Sequence, residues 1–329
     1  MKGDVAVLIP TLRRPESLAR ALASVQAQTG VEDRLAEIVV VDNDPEGTAR
    51  STVDGSAGPV PVRYVHAPRP GVATARNAGL AATGAPLIAF LDDDEAASPG
   101  WLAALLAAQI ETGAEVVFGP IQGRAPDALA WLRPYLEAFF GREGPATVCR
   151  LAEPFGCGNS LLVRAAALPG PTPFNPAADH AGGEDDELFS ALAARGGGFG
   201  WAPGARVEEF APAHRATLGY ALTRAFAYGQ GPSQTARRHG RPLVLLRWMV
   251  IGAAQTAVFG GLAAIGFLAS HPRRAWWLDR AARGLGKVLW MPGLEPAFYG
   301  AAELARLQRA GAGKKGRQRD SRLSGPGGR

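Results

Sequence analysis

Apolar runs that stop abruptly at acidic or turn residues, each followed by a segment with helical spacing, fill the first 120 residues of this chain. Val5–Ile9 ends at Pro10. Behind it Pro15 and Glu16 suit a first helical turn, Leu18, Leu22 and Val25 recur on one face, and Gly30 closes the segment. The β-branched run EIVVVDND, the strand-like VRYVHAP, the helical GVATARNAGLAAT opened by Gly71, the run PLIAFLDDDE, the helical SPGWLAALLAAQIE and the run EVVFGP continue the pattern. Alternating strands and helices predict an α/β protein with a parallel sheet covered on both faces by helices.

Beyond residue 120 the alternation loosens. FGCGNSLLVR feeds a strand at Leu161–Val163, and GGEDDELFSALAARGGG reads as a loop followed by a helix over about Asp185–Arg195. A further helix is expected near Thr217–Gly229. Trp248–Ser270 is different, with 23 residues and no charged side chain. As a helix it would be ~34 Å long, enough to cross a bilayer core. A helix buried in a soluble core and a helix pair lying in the membrane interface are the alternatives. Arg241 and Arg247 on one side, Arg273 and Arg274 on the other, and Trp248, Trp276, Trp277 and Trp290 nearby are what a membrane interface favours. WWLDRAARGLGKVLW has the pattern of an amphipathic surface helix, and the final GAGKKGRQRDSRLSGPGGR is polar, basic and glycine-rich, as disordered segments are.

Charge divides the chain. Residues 1–235 carry 18 Lys+Arg against 26 Asp+Glu, a net of −8, whereas residues 236–329 carry 17 against 4, a net of +13. A basic end points to nucleic acid or to an anionic membrane surface, and the acidic folded part argues against nucleic acid. Cys149 and Cys157 are the two cysteines, too few for a zinc site, and read as reduced thiols. MKGDVAVLIP lacks the apolar stretch of a signal peptide, so the first domain is expected in the cytoplasm. The organisation expected is a domain over 1–235, a helical membrane-associated region over 236–300 and a basic tail over 301–329.

The carboxylates carry the chemistry. In open α/β sheets ligands bind where the carboxyl ends of the strands emerge. Asp42 and Asp92–Asp94 stand at such ends. Adjacent carboxylates repel unless a cation sits among them, and hard oxygen donors suit Mg2+ or Mn2+ completed by substrate phosphates. A solvated, helix-capping turn is the plain alternative. A third acidic set, Glu184–Asp185–Asp186–Glu187, follows a Gly-Gly pair. Three acidic clusters in an alternating chain suggest a metal, a base and a hydroxyl-binding site.

VLIPTLRRPESLARAL, IVVVDND, GVATARNAGL, LIAFLDDDEAASPGWL, FGCGNSLLVR and GGEDDELFSALAARGGG occur in the order found in family 2 glycosyltransferases. Over about residues 3–230 the chain resembles bacterial exopolysaccharide enzymes of the succinoglycan glucosyltransferase type. The resemblance implies a GT-A fold, Rossmann-like, with a mostly parallel central sheet, here followed by C-terminal membrane-associated helices. It implies that Pro10, Thr11 and Asp42 hold the uracil and ribose of a UDP-sugar, with Arg76 near the diphosphate and Asp93 in support. An arginine on a helix surface is the bland reading of Arg76. Asp92 and Asp94 match the metal-binding Asp-x-Asp element for Mn2+ or Mg2+, with Glu95 supporting. Asp185 matches the catalytic base, with Glu184 as the alternative, and Gly158 and Asn159 fall in the acceptor-side loop. Asn159 is otherwise a turn-former. Many relatives carry a histidine after the last strand, where this chain has Glu208 and Glu209, with His214 a few residues on.

What the resemblance implies is an inverting, metal-dependent hexosyl transfer, glucose being the implied sugar, from a UDP-sugar to a hydroxyl of a lipid-linked glycan acceptor. Exopolysaccharide or cell-surface polysaccharide synthesis at the cytoplasmic face of the inner membrane would be the setting. A nucleotidyltransferase acting on a sugar phosphate is the rival. It would favour a glycine-rich, lysine-containing loop after the first strand, and PTLRRPES is no such loop.

Overall fold

The computed structural model describes residues 3–179 and 182–296, with Phe298 and Leu304. The tail expected over 301–329 lies, Leu304 apart, outside the described residues. The first elements are β1 (Val5–Thr11), α1 (Pro15–Gln26), β2 (Leu35–Asp42), α2 (Arg50–Asp54), β3 (Val62–His66), α3 (Val72–Ala82), β4 (Leu87–Phe90), β5 (Glu95–Ala97) and α4 (Trp101–Thr112). There follow β6 (Val116–Phe118), β7 (Ile121–Arg124), α5 (Arg133–Phe140), β8 (Cys149–Leu151), β9 (Ser160–Val163), α6 (Arg164–Ala167), a 3-10 turn (Pro176–Asp179), α7 (Glu184–Ala194), β10 (Phe199–Trp201) and β11 (Val207–Phe210). The chain ends in α8 (Leu218–Arg238), α9 (Pro242–Leu268) and α10 (Arg274–Val288).

Two compact units divide these elements. Among the described residues, one comprises those of 3–119 and 145–205 with Phe298 and Leu304, the other Pro120–Gly144 and Arg206–Pro296.

The first unit is built on an eight-stranded sheet in the order β3-β2-β1-β4-β9-β6-β10-β8. Strands β3, β2, β1 and β4 run parallel, as does the pair β6 and β10. Strand β9 enters antiparallel between β4 and β6, and β8 closes the edge antiparallel to β10. Val5, Ala6, Val7, Leu8 and Ile9 are all buried, so β1 has no wet face, as expected for a strand covered on both sides. Ala6, Leu8, Val39, Val41, Ile88 and Phe90 point into one apolar layer with Ala73 and Leu80 of α3 and Leu188, Phe189 and Leu192 of α7. Period-two alternation turns Val5, Val7 and Ile9 to the other face. Helices α1 and α4 bury their own stripes, Leu18, Leu22 and Val25 in one and Trp101, Leu102 and Leu105 in the other. At Gly79 a Cβ would lie 2.9 Å from side-chain carbons of both Leu8 and Val41, so the absence of a side chain is what lets α3 approach the sheet.

In the second unit β7 and β11 pair in parallel, Ile121 opposite Val207 and Arg124 opposite Phe210. Leu132, Tyr135, Leu136, Ala211, Ala216, Ala221 and Ala275 form its apolar cluster. The 21 residues of α8 outrun the helix expected near Thr217–Gly229, and Pro232 sits inside it. Thr217 caps this helix, its hydroxyl oxygen accepting the Tyr220 N–H at 3.2 Å. Helix α9 has 27 residues and is apolar and long enough to cross a membrane, yet only 17% of its most apolar stretch is buried.

Candidate active site

The candidate residues gather at the carboxyl ends of β1, β2 and β4. Thr11 and Asp42 are partners in the β1–β2 register, where Pro10 lies opposite Val41. Asp42 is fully buried. One of its oxygens accepts the Asp44 N–H at 3.1 Å, and the other accepts the Ala49 N–H at 2.7 Å and the Tyr64 hydroxyl at 2.9 Å. Burial, and then the Asp42 carboxylate beside it, push the Tyr64 phenol up to about 12. Asp42 thus organises the loop after β2 from inside the protein.

The acidic tip after β4 is sorted by partners. Asp93 accepts the Thr11 hydroxyl at 2.7 Å through one oxygen and Arg14 Nη1 at 2.8 Å through the other. The same Nη1 reaches Asp94 Oδ2 at 2.9 Å. Glu95, buried, accepts the Asp92 N–H at 2.9 Å. Asp92 keeps 40% of its side chain accessible, against 6% for Asp93 and 8% for Asp94. Protein hems it in on its other sides. That loss of water raises its carboxyl to about 6, with Arg76 pulling the other way and Asp94 and Asp93 adding to the rise.

Arg76 is the hub. It is buried within α3, so the surface reading of this residue is corrected. The α3 face that carries it packs against the sheet, with Phe90 and Phe174 rings 5.7 and 5.4 Å from its Cζ. Its Nη1 is paired with Glu184, and its Nη2 stands 3.8 Å from Asp92 Oδ1. Burial works against its charge, but the carboxylates of Glu184, Asp92 and Asp185 outweigh that and hold the guanidinium protonated above the ordinary arginine range. Burial raises the Glu184 carboxyl, and Arg76 opposes the rise.

Asp185 is half-buried at the start of α7. Its Oδ2 accepts the Cys157 N–H at 2.9 Å and its Oδ1 the Asp186 N–H at 3.0 Å. The backbone of Gly156–Gly158 therefore runs between Asp185 and Asp92. A Cβ on Gly158 would stand 2.7 Å from Asp92 Oδ2, and one on Gly156 would stand 3.3 Å from Asp185 Oδ2. Asn159 next to them is buried, with a left-handed φ of 50°. Its Oδ1 accepts Trp101 Nε1–H at 2.7 Å and its Nδ2 donates to the Ala205 carbonyl at 2.9 Å. The protein holds both ends of this amide through distant segments.

The structure thus brings Arg76, Asp92, Gly158, Glu184 and Asp185 together, bonds Thr11 directly to Asp93, and links Asp93 to Asp94 through Arg14. His214 belongs to the second unit. Three contributors escaped the reading of the sequence. Arg14 clamps two of the acids. Asn77 exchanges hydrogen bonds with the backbone of Phe174, at 2.7 and 3.1 Å. Buried Asp179 accepts the Thr74 N–H at 3.1 Å and the Thr74 hydroxyl at 2.6 Å. Arg13-Arg14 immediately after β1 was the available signal for the first, since β1 and β4 are neighbours. Nothing in the sequence marked Asp179.

The donor chemistry fits a small divalent cation. Asp92 and Asp94 offer carboxylate oxygens alone, the accessible Asp92 foremost. Among the described residues no three His, Cys, Asp or Glu side chains form a complete metal cage.

Comparison with known proteins places this geometry in context. The model of the family described as "Glycosyl transferase family 2" matches residues 6–168. The chain is 34% identical over 301 residues to the succinoglycan biosynthesis protein ExoM of Rhizobium meliloti (strain 1021), covering 89% of this chain and 95% of that protein. A validoxylamine A glucosyltransferase of Streptomyces hygroscopicus subsp. limoneus is 35% identical over 125 residues, 37% of this chain and 27% of that one. Among solved structures, the mannosyltransferase PcManGT from Pyrobaculum calidifontis, in complex with GDP-Man and Mn2+, superposes with a TM-score of 0.58 at 18% identity, covering 88% of both chains. This likeness is one of fold.

Proposed function

This chain belongs to glycosyltransferase family 2, and on that premise we propose that it transfers a hexose from a UDP-sugar, with inversion, to a hydroxyl of a lipid-linked glycan. Glucose is the sugar the reading favours. The product would enter a bacterial exopolysaccharide or cell-surface polysaccharide. The 34% identity to a succinoglycan biosynthesis protein along most of both chains supports that setting.

The observation that carries the reading is the juxtaposition of Asp185 and Asp92 across the Gly156–Gly158 backbone, with Arg76 drawing on both acidic ends. Asp185 takes the proton from the acceptor hydroxyl as the latter attacks the anomeric carbon. The Cys157 and Asp186 amides aim its carboxylate and leave lone pairs for that proton. Glu184, tied to Arg76, is the positioning partner rather than the base. Pro10, Thr11 and Asp42 shape the nucleoside end, Asp42 through the loop it organises, and Asp93 holds Thr11 in place. Acceptor contacts fall to the Gly156–Gly158 backbone, because the Asn159 amide is held inside. Asp92 and Asp94 would hold Mn2+ or Mg2+, which when bound supplies positive charge to the departing diphosphate. The Mn2+ in the mannosyltransferase structure supports the choice of a divalent cation.

Membrane docking completes the reading. The exposed apolar surface of α9 and the net +13 of residues 236–329 favour a membrane surface, at its cytoplasmic face, as the place where a lipid-linked acceptor is met.

The test is nucleoside-diphosphate release from a panel including UDP-glucose and GDP-mannose, with Mn2+ or Mg2+, in the presence and absence of membrane extract. Asp94→Ala and Asp185→Ala are each expected to lower turnover by a factor on the order of 10² or more. Wild-type turnover in both variants would overturn the site. Release from GDP-mannose alone would overturn the donor.

A further inference from the structure

The membrane reading leaves open how α9 meets the bilayer, and its packing against α10 answers this. The buried seam of α9 is narrow: Gly252, Ala263 and Gly266. Opposite that seam Leu243, Val250, Val258 and Ile265 form a stripe, 81, 61, 59 and 64% exposed. Twenty-seven residues make a rod of ~40 Å, longer than the ~30 Å hydrocarbon core of a bilayer. Length and composition alone would therefore permit a span.

Its neighbour forbids one. Helix α10 runs back along α9, sealed by glycines. A Cβ on Gly252 would lie 2.5 Å from the Gly284 carbonyl, and one on Gly266 would lie 2.7 Å from the Trp277 ring. Gln255 Nε2 donates to the Arg280 carbonyl at 2.9 Å, Lys287 Nζ to Gln255 Oε1 at 3.1 Å, and the Arg280 guanidinium lies 5.2 Å from the Phe259 ring centroid. Asp279, Arg280, Arg283 and Lys287 therefore stand beside the middle of α9. A spanning α9 would draw all four to the depth of the bilayer centre, where charged side chains are rare and costly.

We propose that α9 lies along the bilayer surface, its Leu243–Val250–Val258–Ile265 stripe sunk into a single leaflet while α10 stays on the aqueous side. The inference rests on the membrane reading above. Lipid, rather than a second copy of this chain, is the occupant that the charge selects. Residues 236–296 carry nine Lys+Arg against two acids. Of those acids Asp279 is paired with Arg283, and Glu295 accepts a hydrogen bond from Gln234. Two copies meeting through this region would bring like net charges together, whereas anionic headgroups around the stripe offset them. Arg247, within the first turns of α9, can reach the headgroups along its aliphatic stem.

The test uses the full chain with Cys149→Ser and one of Leu243→Cys, Val250→Cys, Val258→Cys or Ile265→Cys. Each variant carries a nitroxide and is mixed with phosphatidylcholine–phosphatidylglycerol vesicles. Collision with oxygen and with a water-soluble nickel complex reads depth. Surface insertion predicts the same shallow depth, about 5–10 Å, at all four positions. A profile shallow at Leu243 and Ile265 but ~15 Å deep at Val258 would overturn the surface geometry and keep the membrane reading. Labels that stay fully water-accessible, on protein that fails to float with the vesicles, would overturn both.

Discussion

At Arg76 a helix residue that sequence reading could leave on the surface is buried against two aromatic rings and two carboxylates. Removing it leaves Glu184 charged and dry, the condition that makes broken buried pairs expensive. Arg76→Ala is expected to lose about 3–5 kcal/mol of stability, read as a fall in the urea midpoint, along with its turnover. Arg76→Lys should fall between, since it keeps the charge and loses the fork. An unchanged midpoint in Arg76→Ala would show that Glu184 is not held by this pair. Cys157 yields a second prediction. Burial pushes its thiol up to about 12, so at pH 8 the group stays protonated and sealed. Alkylation of the native protein, followed by mass spectrometry, should modify half-buried Cys149 well before Cys157. Equal rates would contradict the burial. At this scale the motifs named Arg76, Asp92 and Asp185, which the fold brings near one another. They did not assign Arg14, whose partner Asp94 lies 80 positions away and becomes its neighbour only because β1 and β4 pair.

At the scale of elements, α3 acts as the gauge for the start of α7, which carries Asp185. Asn77 holds Phe174, Thr74 holds Asp179 and Arg76 holds Glu184, three ties between one helix and one segment. Asp179 also supplies the carboxylate that the N-terminus of α3 otherwise lacks, since its cap residue, Gly71, has no side chain. A Cβ on Gly71 would stand 2.0 Å from the Asp179 carboxyl carbon. Asp179→Ala should cost about 1–2 kcal/mol of stability and lower kcat more than it raises KM. Gly71→Ala should show the same split. If both variants turn over normally, the start of α7 is positioned by other contacts. In the second unit, Gly284→Leu should loosen α10 from α9, lowering the thermal midpoint, because Thr256 and the Gly252 carbonyl already fill that space. The alternation of strand and helix was legible because each element repeats its own apolar period. The reversed direction of β9 was not, because a four-residue buried strand reads the same in either direction.

At the scale of the whole molecule, charge separates an acidic catalytic stretch from a basic C-terminal one. Exposed charges act through solvent and are screened over ~8 Å at physiological salt. Association with phosphatidylglycerol-containing vesicles should therefore weaken as salt rises. With phosphatidylcholine alone it should become weaker and nearly salt-independent, leaving the apolar contribution of α9. Co-sedimentation across a salt series checks this. Salt-independent binding to the anionic vesicles would remove the electrostatic part.

The amino-acid sequence alone determined the α/β class, the family, the carboxylates at the strand ends and the apolar helix near the C-terminus. These follow from local periodicity and from residues only a few positions apart, which any reader of the chain can see. Only the tertiary structure decided that Arg76 is buried, that Glu184 is occupied by it, that the Asn159 amide is held inside, and that α10 brings four charges alongside the middle of α9. Each of those facts is a meeting of distant segments, and such meetings are set by packing and by the pairing of buried charge, which no local spacing records.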